Sequence, residues 1–128
     1  MTELVIIGDQ AKVIKNANSR PLTLYKEDDN SGDKGIFLLG SQYTVPAGKE
    51  FLITTLTAFS GNAASYLHCN LKDSAGVVHI YWVLNKGDEP GSSIAIPLQD
   101  KWEAGTSPII NSNHNGLTLI IKGVEYDV

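Results

Sequence analysis

Hydrophobic positions along this chain come in short runs rich in Val, Ile, Thr, Tyr and Phe, which clusters of Gly, Pro, Asn, Asp and Ser separate. Runs of this kind, bounded by turn-forming residues, are typical of β-strands, and no stretch has the period of an amphipathic helix. Their spacing through 128 residues predicts an all-β fold, a single antiparallel β-sandwich, jelly-roll-like, of about eight to ten strands. We expect one domain over 1–128.

Eleven segments qualify as strands, because their apolar residues alternate or run on between turn signals. They are Leu4–Ile7, Ala11–Ile14, Leu22–Tyr25, Ile36–Leu39, Gln42–Val45, Glu50–Phe59, Ser65–Lys72, Val77–Leu84, Ser93–Leu98, Pro108–Asn111 and Leu117–Lys122. Lys26–Lys34 and Asp100–Gly105 are among the predicted loops. Residues 1–20 are expected to join the sheet or to form an arm that contacts a neighbouring subunit.

The central hairpin allows its two faces to be predicted. Its apolar positions alternate with polar ones, and they are Leu67, Cys69 and Leu71 on one strand and Val78, Ile80, Trp82 and Leu84 on the other. Strand side chains alternate between faces, so both sets share one face if Leu71 pairs with Val78 and Cys69 with Ile80. The loop Asp73–Gly76 also suits a three-residue turn with a glycine bulge, which shifts the register by one. We follow the hydrophobic pattern, because each misplaced large apolar side chain would cost about 1.5–3 kcal/mol.

The opposite face of this hairpin is then polar and aromatic. It contains Tyr66, His68, Asn70, His79 and Tyr81. In the chosen register His68 lies opposite Tyr81 and Asn70 lies opposite His79. Such a face either binds a partner or is covered by a second layer of the sandwich.

Asn115-Gly116 predicts a second hairpin, because both residues tolerate the positive φ of a tight turn. Ile109–Ser112 would return along Leu117–Ile121. Leu117, Leu119 and Ile121 would face the core, and Thr118, Ile120 and Lys122 would face outward.

Charge and cysteine content narrow the choice of partners. The net charge is −4 and no cluster of Lys and Arg occurs, which argues against nucleic acid and against a basic membrane-surface segment. No apolar run is long enough to span a membrane. The single cysteine, Cys69, excludes a disulfide within the chain and favours folding in a reducing cytoplasm. Met1–Leu4 lacks the pattern of a signal peptide.

The residues that carry chemistry do not form a recognisable catalytic pattern. His68, His79 and His114 could serve a cupin-like metalloenzyme only if they converged inside the barrel, and the predicted register places the first two outside. The acidic stretch Glu27–Asp33 does not have the spacing of an EF-hand loop. Cys69 is assigned to the core, and phosphate-binding glycine motifs are absent. We therefore expect no catalytic residues, no cofactor and no metal.

Candidate binding residues are aromatic, imidazole and amide side chains on the predicted outer face and in nearby loops. They are Tyr66, His68, Asn70, His79, Tyr81, Trp102, Asn111, Asn113 and His114. Aromatic side chains can anchor a protein interface or offer an apolar platform to a sugar ring, and amides can bind its hydroxyls.

Three motifs resemble those of small β-sandwich proteins of tailed bacteriophage virions, such as head-decoration, head-fibre and tail-associated domains. They are Tyr43-Thr-Val-Pro-Ala-Gly-Lys49 with the alternating residues that follow, Trp102-Glu-Ala-Gly-Thr-Ser107, and Leu117–Tyr126 with its Gly-Val-Glu-Tyr ending. The resemblance covers Gln42–Val128. It implies a Pro-Ala-Gly turn leading into a long strand, a second Ala-Gly turn before the penultimate strand, and assembly as trimers or pentamers.

The leading hypothesis is therefore a non-enzymatic structural or interaction protein of a virus particle. It would be made in the host cytoplasm, reside in the virion, form a homo-oligomer, with a trimer favoured, and dock on other virion proteins. The alternative is a carbohydrate-binding or receptor-binding module that recognises a surface glycan. A cupin-like metalloenzyme is third.

Overall fold

The computed structural model describes residues 19–26, 31–61, 66–86 and 91–128. Within these ranges all regular structure is antiparallel β, which confirms the all-β prediction. The strands are β1 (Arg20–Lys26), β2 (Gly32–Leu38), β3 (Ser41–Gln42), β4 (Lys49–Ser60), β5 (Leu67–Lys72), β6 (Val78–Leu84), β7 (Ser93–Glu103), β8 (Ile109–Ser112) and β9 (Leu117–Asp127). The predicted strands Leu4–Ile7 and Ala11–Ile14 lie outside the described residues, as does most of the proposed arm.

The strands follow one continuous path, β6-β5-β8-β2-β1-β9-β4-β7, with the short β3 beside β2. The path folds into two layers at β2, because Gly32–Gly35 pair with β8 whereas Ile36 and Phe37 pair with β1. One sheet therefore contains β2, β8, β5 and β6, and the other contains β1, β9, β4 and β7. Strands that alternate between two sheets in this way have a jelly-roll-like topology, as predicted.

The core fills the space between the two sheets. Leu24, Ile36, Leu56 and Leu71 have no accessible surface, and Trp102 and Ile110 are 1% exposed. The face predictions are confirmed for β5 and β9: Leu67, Cys69, Leu71, Leu117, Leu119 and Ile121 are all buried. Burial raises the pKa of the Cys69 thiol to about 12, so this cysteine acts as a small apolar residue.

Several strand bounds differ from the sequence prediction. β2 begins at Gly32 and β7 continues to Glu103, so parts of the predicted loops Lys26–Lys34 and Asp100–Gly105 are strand. β9 continues to Asp127 rather than ending at Lys122. β3 ends at Gln42, because Val45 forms backbone hydrogen bonds with Gly105 and Thr106 of another loop instead of a strand ladder.

The second predicted hairpin is wrong. β8 pairs with β2 and β5, whereas β9 pairs with β1 and β4, so Asn115-Gly116 connects one sheet to the other. Gly116 has a φ of 89°, but Asn115 is not among the residues with positive φ, so the type I′ turn that pairs adjacent strands is not formed.

The motifs of the sequence resemblance meet at one end of the sandwich. The Pro-Ala-Gly turn leads into β4, one of the longest strands, and the Ala-Gly turn precedes β8, the penultimate strand. The two loops contact each other, because Val45 accepts from Gly105 N–H at 2.8 Å and Thr44 Oγ1 lies 2.6 Å from Ser107 Oγ. The Tyr43 hydroxyl donates to the carboxylate of Glu125 in β9 at 2.8 Å.

Gly123 lies where β9 crosses the β4 bulge, between Ile53 and Thr55. A Cβ atom at this position would lie 2.3 Å from the Leu52 carbonyl oxygen and 2.7 Å from Cζ of Phe51. The absent side chain therefore makes room for the Phe51 ring, which packs edge-on against Tyr43 at 5.2 Å.

We predict that Gly123→Ala lowers the free energy of unfolding by about 1–3 kcal/mol, the usual cost of forcing atoms into a packed core. Gly61→Ala is the matched control, because among the described residues its Cβ would meet only the Gly116 carbonyl oxygen at 3.8 Å, and the change should alter stability by less than about 0.5 kcal/mol. Urea denaturation measures both values. Equal stabilities for the two variants would contradict the steric role of Gly123.

Candidate interaction surface

The register of the β5–β6 hairpin combines the two alternatives that the sequence left in conflict. The tip is the three-residue loop with a glycine bulge: Asp73 N–H donates to Val77 O at 2.9 Å, and Gly76 has a φ of 90°. One rung further, Lys72 pairs with Val78 but Leu71 pairs with Ile80, which leaves His79 as an extra residue. The predicted pairs, Leu71 with Val78 and Cys69 with Ile80, are thus wrong by two residues, and a shift of two leaves Ile80, Trp82 and Leu84 on their predicted face. The predicted core position of Val78 is wrong, because beyond the bulge it pairs with Lys72 and is 52% exposed.

The bulge moves His79 off the predicted outer face. The extra residue of a bulge turns its side chain away from the regular alternation, and here the imidazole stacks on the core residue Trp102 at 4.0 Å. His79 Nδ1 lies 3.0 Å from the carboxylate of Asp100, and Nε2 lies 3.2 Å from Asp73. The predicted pairing of Asn70 with His79 is therefore wrong. His79 instead connects β6 to β7 at one end of the sandwich.

The outer face of the β2–β8–β5–β6 sheet carries a row of polar and aromatic side chains. Tyr81, Asn70, Asn111 and Asp33 are successive cross-strand partners in this row. Neighbouring strands lie ~4.8 Å apart, so the row is about 14 Å long. Tyr81 is 58% exposed, and the Asn70 side-chain oxygen is buried without a hydrogen-bond partner.

A network of charges and amides orders the β2 end of this row. Asn111 Nδ2 donates to Asp33 Oδ1 at 2.6 Å, and Lys72 Nζ lies 2.9 Å from Asp33 Oδ2. The hydrogen bond from Lys72, followed by that from Asn111, holds the pKa of the Asp33 carboxyl below its usual value. The positive charge of Lys72 is thus balanced within the face.

Three exposed rings form an aromatic platform next to the row. Tyr66 and His68 have centroids 6.4 Å apart with planes 23° from parallel, and His68 and Tyr81 are 6.0 Å apart at 34°. His68 Nδ1 is hydrogen-bonded to the Tyr81 hydroxyl. The observed register places His68 opposite Val83, so its predicted position opposite Tyr81 is wrong, although the two side chains meet diagonally.

Asn113 fixes the platform to the loop after β8. Its Oδ1 accepts from the backbone N–H of His68 at 2.9 Å, and its Nδ2 donates to the Tyr66 carbonyl at 3.2 Å. Tyr66 has a φ of 53°, which is unusual for a bulky residue and costs of order 1–3 kcal/mol. Strain of this kind persists only where the surroundings hold the backbone, so the backbone of Tyr66 is held in this conformation.

The remaining predicted residues divide between the core and the surface. Trp102 is 1% exposed and donates from Nε1 to Asp100 Oδ2, so its prediction as an exposed aromatic is wrong. It is buried because β7 continues beyond the predicted loop and its alternation directs Trp102 inward. His114 is exposed in the turn before β9. Sequence reasoning missed Asp33 and Lys72, because Asp33 lies in the predicted loop Lys26–Lys34 and no local pattern places it next to β5.

The described residues contain no group of three or more His, Cys, Asp and Glu side chains placed to hold a metal ion. A cavity of about 190 Å³ adjoins His79 and is lined by Asp73, Lys101, Trp102, Glu103 and Thr106. In the same part of the chain, no helix is long and apolar enough to cross a membrane.

The two outermost strands differ in how their edges are protected. β7 carries Pro97 and the inward-pointing Asp100, which are devices that prevent an edge from pairing with another chain. β6 has the sequence VHIYWVL, with neither proline nor a carboxylate, lysine or arginine, and only β5 is paired with it among the described strands. Its bulge lies at its beginning, where Val77 and Val78 are 59% and 52% exposed. The β6 edge is thus the less protected of the two.

We predict that the Asp73 carboxylate makes stability dependent on acid pH. The backbone N–H of Val77, followed by His79 and the N–H of Ala75, lowers the pKa of Asp73 from its usual 3.8. The ionised carboxylate then stabilises the fold at pH values above its usual pKa of 3.8, and this contribution is lost as the pH falls through the lowered pKa.

Asp73→Asn retains an oxygen acceptor for both N–H groups but removes the titrating carboxyl. In urea denaturation at a series of pH values, the wild type should lose more stability than this variant between about pH 5 and pH 2. Asp73→Ala, which also removes the acceptor, should be less stable than Asp73→Asn at neutral pH. Identical pH profiles for the wild type and Asp73→Asn would contradict this role.

Comparisons with known proteins find solved structures whose backbone follows a similar course. No protein-family model matches the sequence, and no curated protein matches it. The chain is similar to a protein in the cryo-EM structure of the extra small virus VLP of the giant freshwater prawn Macrobrachium rosenbergii. The sequence identity is 16%, the likeness covers 99% of this chain and 84% of that chain, and the TM-score is 0.47. It is similar to a chain of the cyanophage Pam1 capsid asymmetric unit, with 12% identity, coverage of 99% and 94%, and a TM-score of 0.47.

A third similar structure is the globular domain of the zebrafish complement 1qA protein, with 11% identity, coverage of 80% of this chain and 94% of that chain, and a TM-score of 0.45. All three TM-scores are below 0.5, so these likenesses carry no functional assignment.

Proposed function

We propose that this protein is a non-enzymatic structural and interaction domain of a virus particle, which assembles with copies of itself and docks on other virion proteins. We infer assembly from β6, because its edge is the less protected of the two outermost strands. A strand edge offers unpaired N–H and C=O groups to another chain, and soluble proteins normally block such an edge with charge or proline. β6 has neither, whereas β7 at the other end of the path has both.

Exposed apolar side chains lie at the same edge. Val77 and Val78 lie at the beginning of β6 and are 59% and 52% exposed. Aromatic and apolar residues are favoured at the centres of protein interfaces, where charged residues are depleted. A contact along β6 would join main-chain hydrogen bonds to burial of Val77 and Val78, and a stable one would cover about 800 Å² on each partner.

The assignment to a virus particle rests on the sequence resemblance over Gln42–Val128 together with the jelly-roll-like topology. The resemblance implies a trimer, and we include this oligomeric state in the proposal. Fold alone does not establish function, so the experiment must measure self-assembly directly.

Light scattering of purified protein measures the solution mass against the chain mass of 13.8 kDa. We predict an oligomer that Val78→Glu converts to monomer, because a charge at the edge opposes pairing with another chain. The new carboxylate would face Lys72, so the hairpin itself should remain folded. Leu39→Glu is the matched control: Leu39 is 91% exposed in the turn after β2, and its substitution should leave the oligomer intact. A wild-type protein that stays at 13.8 kDa at all concentrations would refute self-assembly.

A further inference from the structure

The outer face of the β2–β8–β5–β6 sheet combines a rigid aromatic platform with hydrogen-bonding groups. The platform consists of Tyr66, His68 and Tyr81, and the row beside it continues through Asn70 and Asn111. Tyr81 and Val78 are three residues apart on β6, roughly 10 Å along the strand. The platform is therefore distinct from the apolar start of the β6 edge.

Hydrogen bonds hold the His68 and Tyr81 rings and the Tyr66 backbone before any ligand arrives. The His68 imidazole is hydrogen-bonded to the Tyr81 hydroxyl, and Asn113 holds the backbone of both His68 and Tyr66. Tyr66 keeps a positive φ under these restraints, and strained residues that the surroundings hold in place are concentrated at functional sites. A preformed platform loses little conformational entropy on binding.

The polar groups beside the platform indicate the chemistry of the ligand. Asn70 and Asn111 are cross-strand partners in the row, and an amide group can both donate to and accept from a hydroxyl. Lys72 is ion-paired with Asp33, so the positive charge within the face is already balanced. A ligand that donates from hydroxyls fits this surface better than an anion does.

We infer that this face is a binding surface for a neutral saccharide. A pyranose ring has an apolar C–H face and a rim of hydroxyls, which matches exposed aromatic rings that lie next to the amides of the row. One sugar would stack on Tyr81, with its hydroxyls directed toward the amides of the row. The row, about 14 Å long, leaves room for neighbouring sugars to reach Asn111 and Asp33.

The test uses the full chain on an array of neutral glucose-, galactose- and mannose-containing oligosaccharides, with sialylated oligosaccharides as the anionic comparison. We expect binding to neutral oligosaccharides that Tyr81→Ala weakens at least about tenfold, in keeping with the loss of an aromatic anchor. Tyr81→Phe keeps the ring and should retain most of the binding. Tyr25→Ala is the matched control, because Tyr25 is an exposed tyrosine on β1 in the other sheet.

Three results would overturn the inference: no binding of the wild type to any neutral oligosaccharide, equal loss in Tyr81→Ala and Tyr25→Ala, or binding confined to sialylated oligosaccharides. Light scattering of Tyr81→Ala separates this inference from the proposed assembly. A variant that loses the oligomer but binds sugar like the wild type would assign the platform to a protein contact instead. Circular dichroism melting should show that both alanine variants remain folded.

Discussion

The buried carboxylate of Glu125 is the constraint on which one end of the sandwich depends. It lies on the core face of β9 with 2% of its surface exposed, and a charge removed from water in this way must be hydrogen-bonded or paired. The Tyr43 hydroxyl and the Arg20 guanidinium satisfy it, so the carboxylate joins the 43–48 loop and β1 to the central strand β9. Burial, followed by the bond to Glu125, raises the pKa of Tyr43, so this hydroxyl remains a donor.

The residues around Glu125 are also those that carry the sequence resemblance. Gly123 admits the Phe51 ring, and Tyr126 donates to Glu50 on the opposite face of the same strand. The Pro-Ala-Gly and Ala-Gly turns are hydrogen-bonded to each other beside them. Each motif therefore has a role in closing this end of the fold. Because these roles are structural, the motifs are better evidence for a type of sandwich than for a ligand or a partner.

The β5–β6 hairpin shows how local and global preferences are reconciled. The turn chemistry of Asp73–Gly76 determines the tip, while the apolar alternation determines the remaining rungs, and the bulge at His79 absorbs the difference. The predicted binding face therefore lacks His79, whose side chain is turned toward Trp102 and Asp100. What remains outside is a surface with two different regions along β6, an apolar start and an aromatic end. Assembly and saccharide binding can therefore be tested separately.

Period-two alternation in the sequence by itself determined the strand class, most strand positions and the buried faces of β5 and β9, because side chains of a strand must alternate between core and solvent. It also placed Tyr66, His68, Asn70 and Tyr81 on one outer face, whereas Asn111 and Asn113 were candidates as amides of the segment 111–115. Beyond the β5–β6 hairpin, only the tertiary structure decided which strands pair. Asn115-Gly116 specifies a local bend, and a bend does not distinguish two strands of one sheet from two strands in facing sheets. For the same reason Asp33, distant in sequence, joined the row through β2, and Trp102 entered the core through the extension of β7.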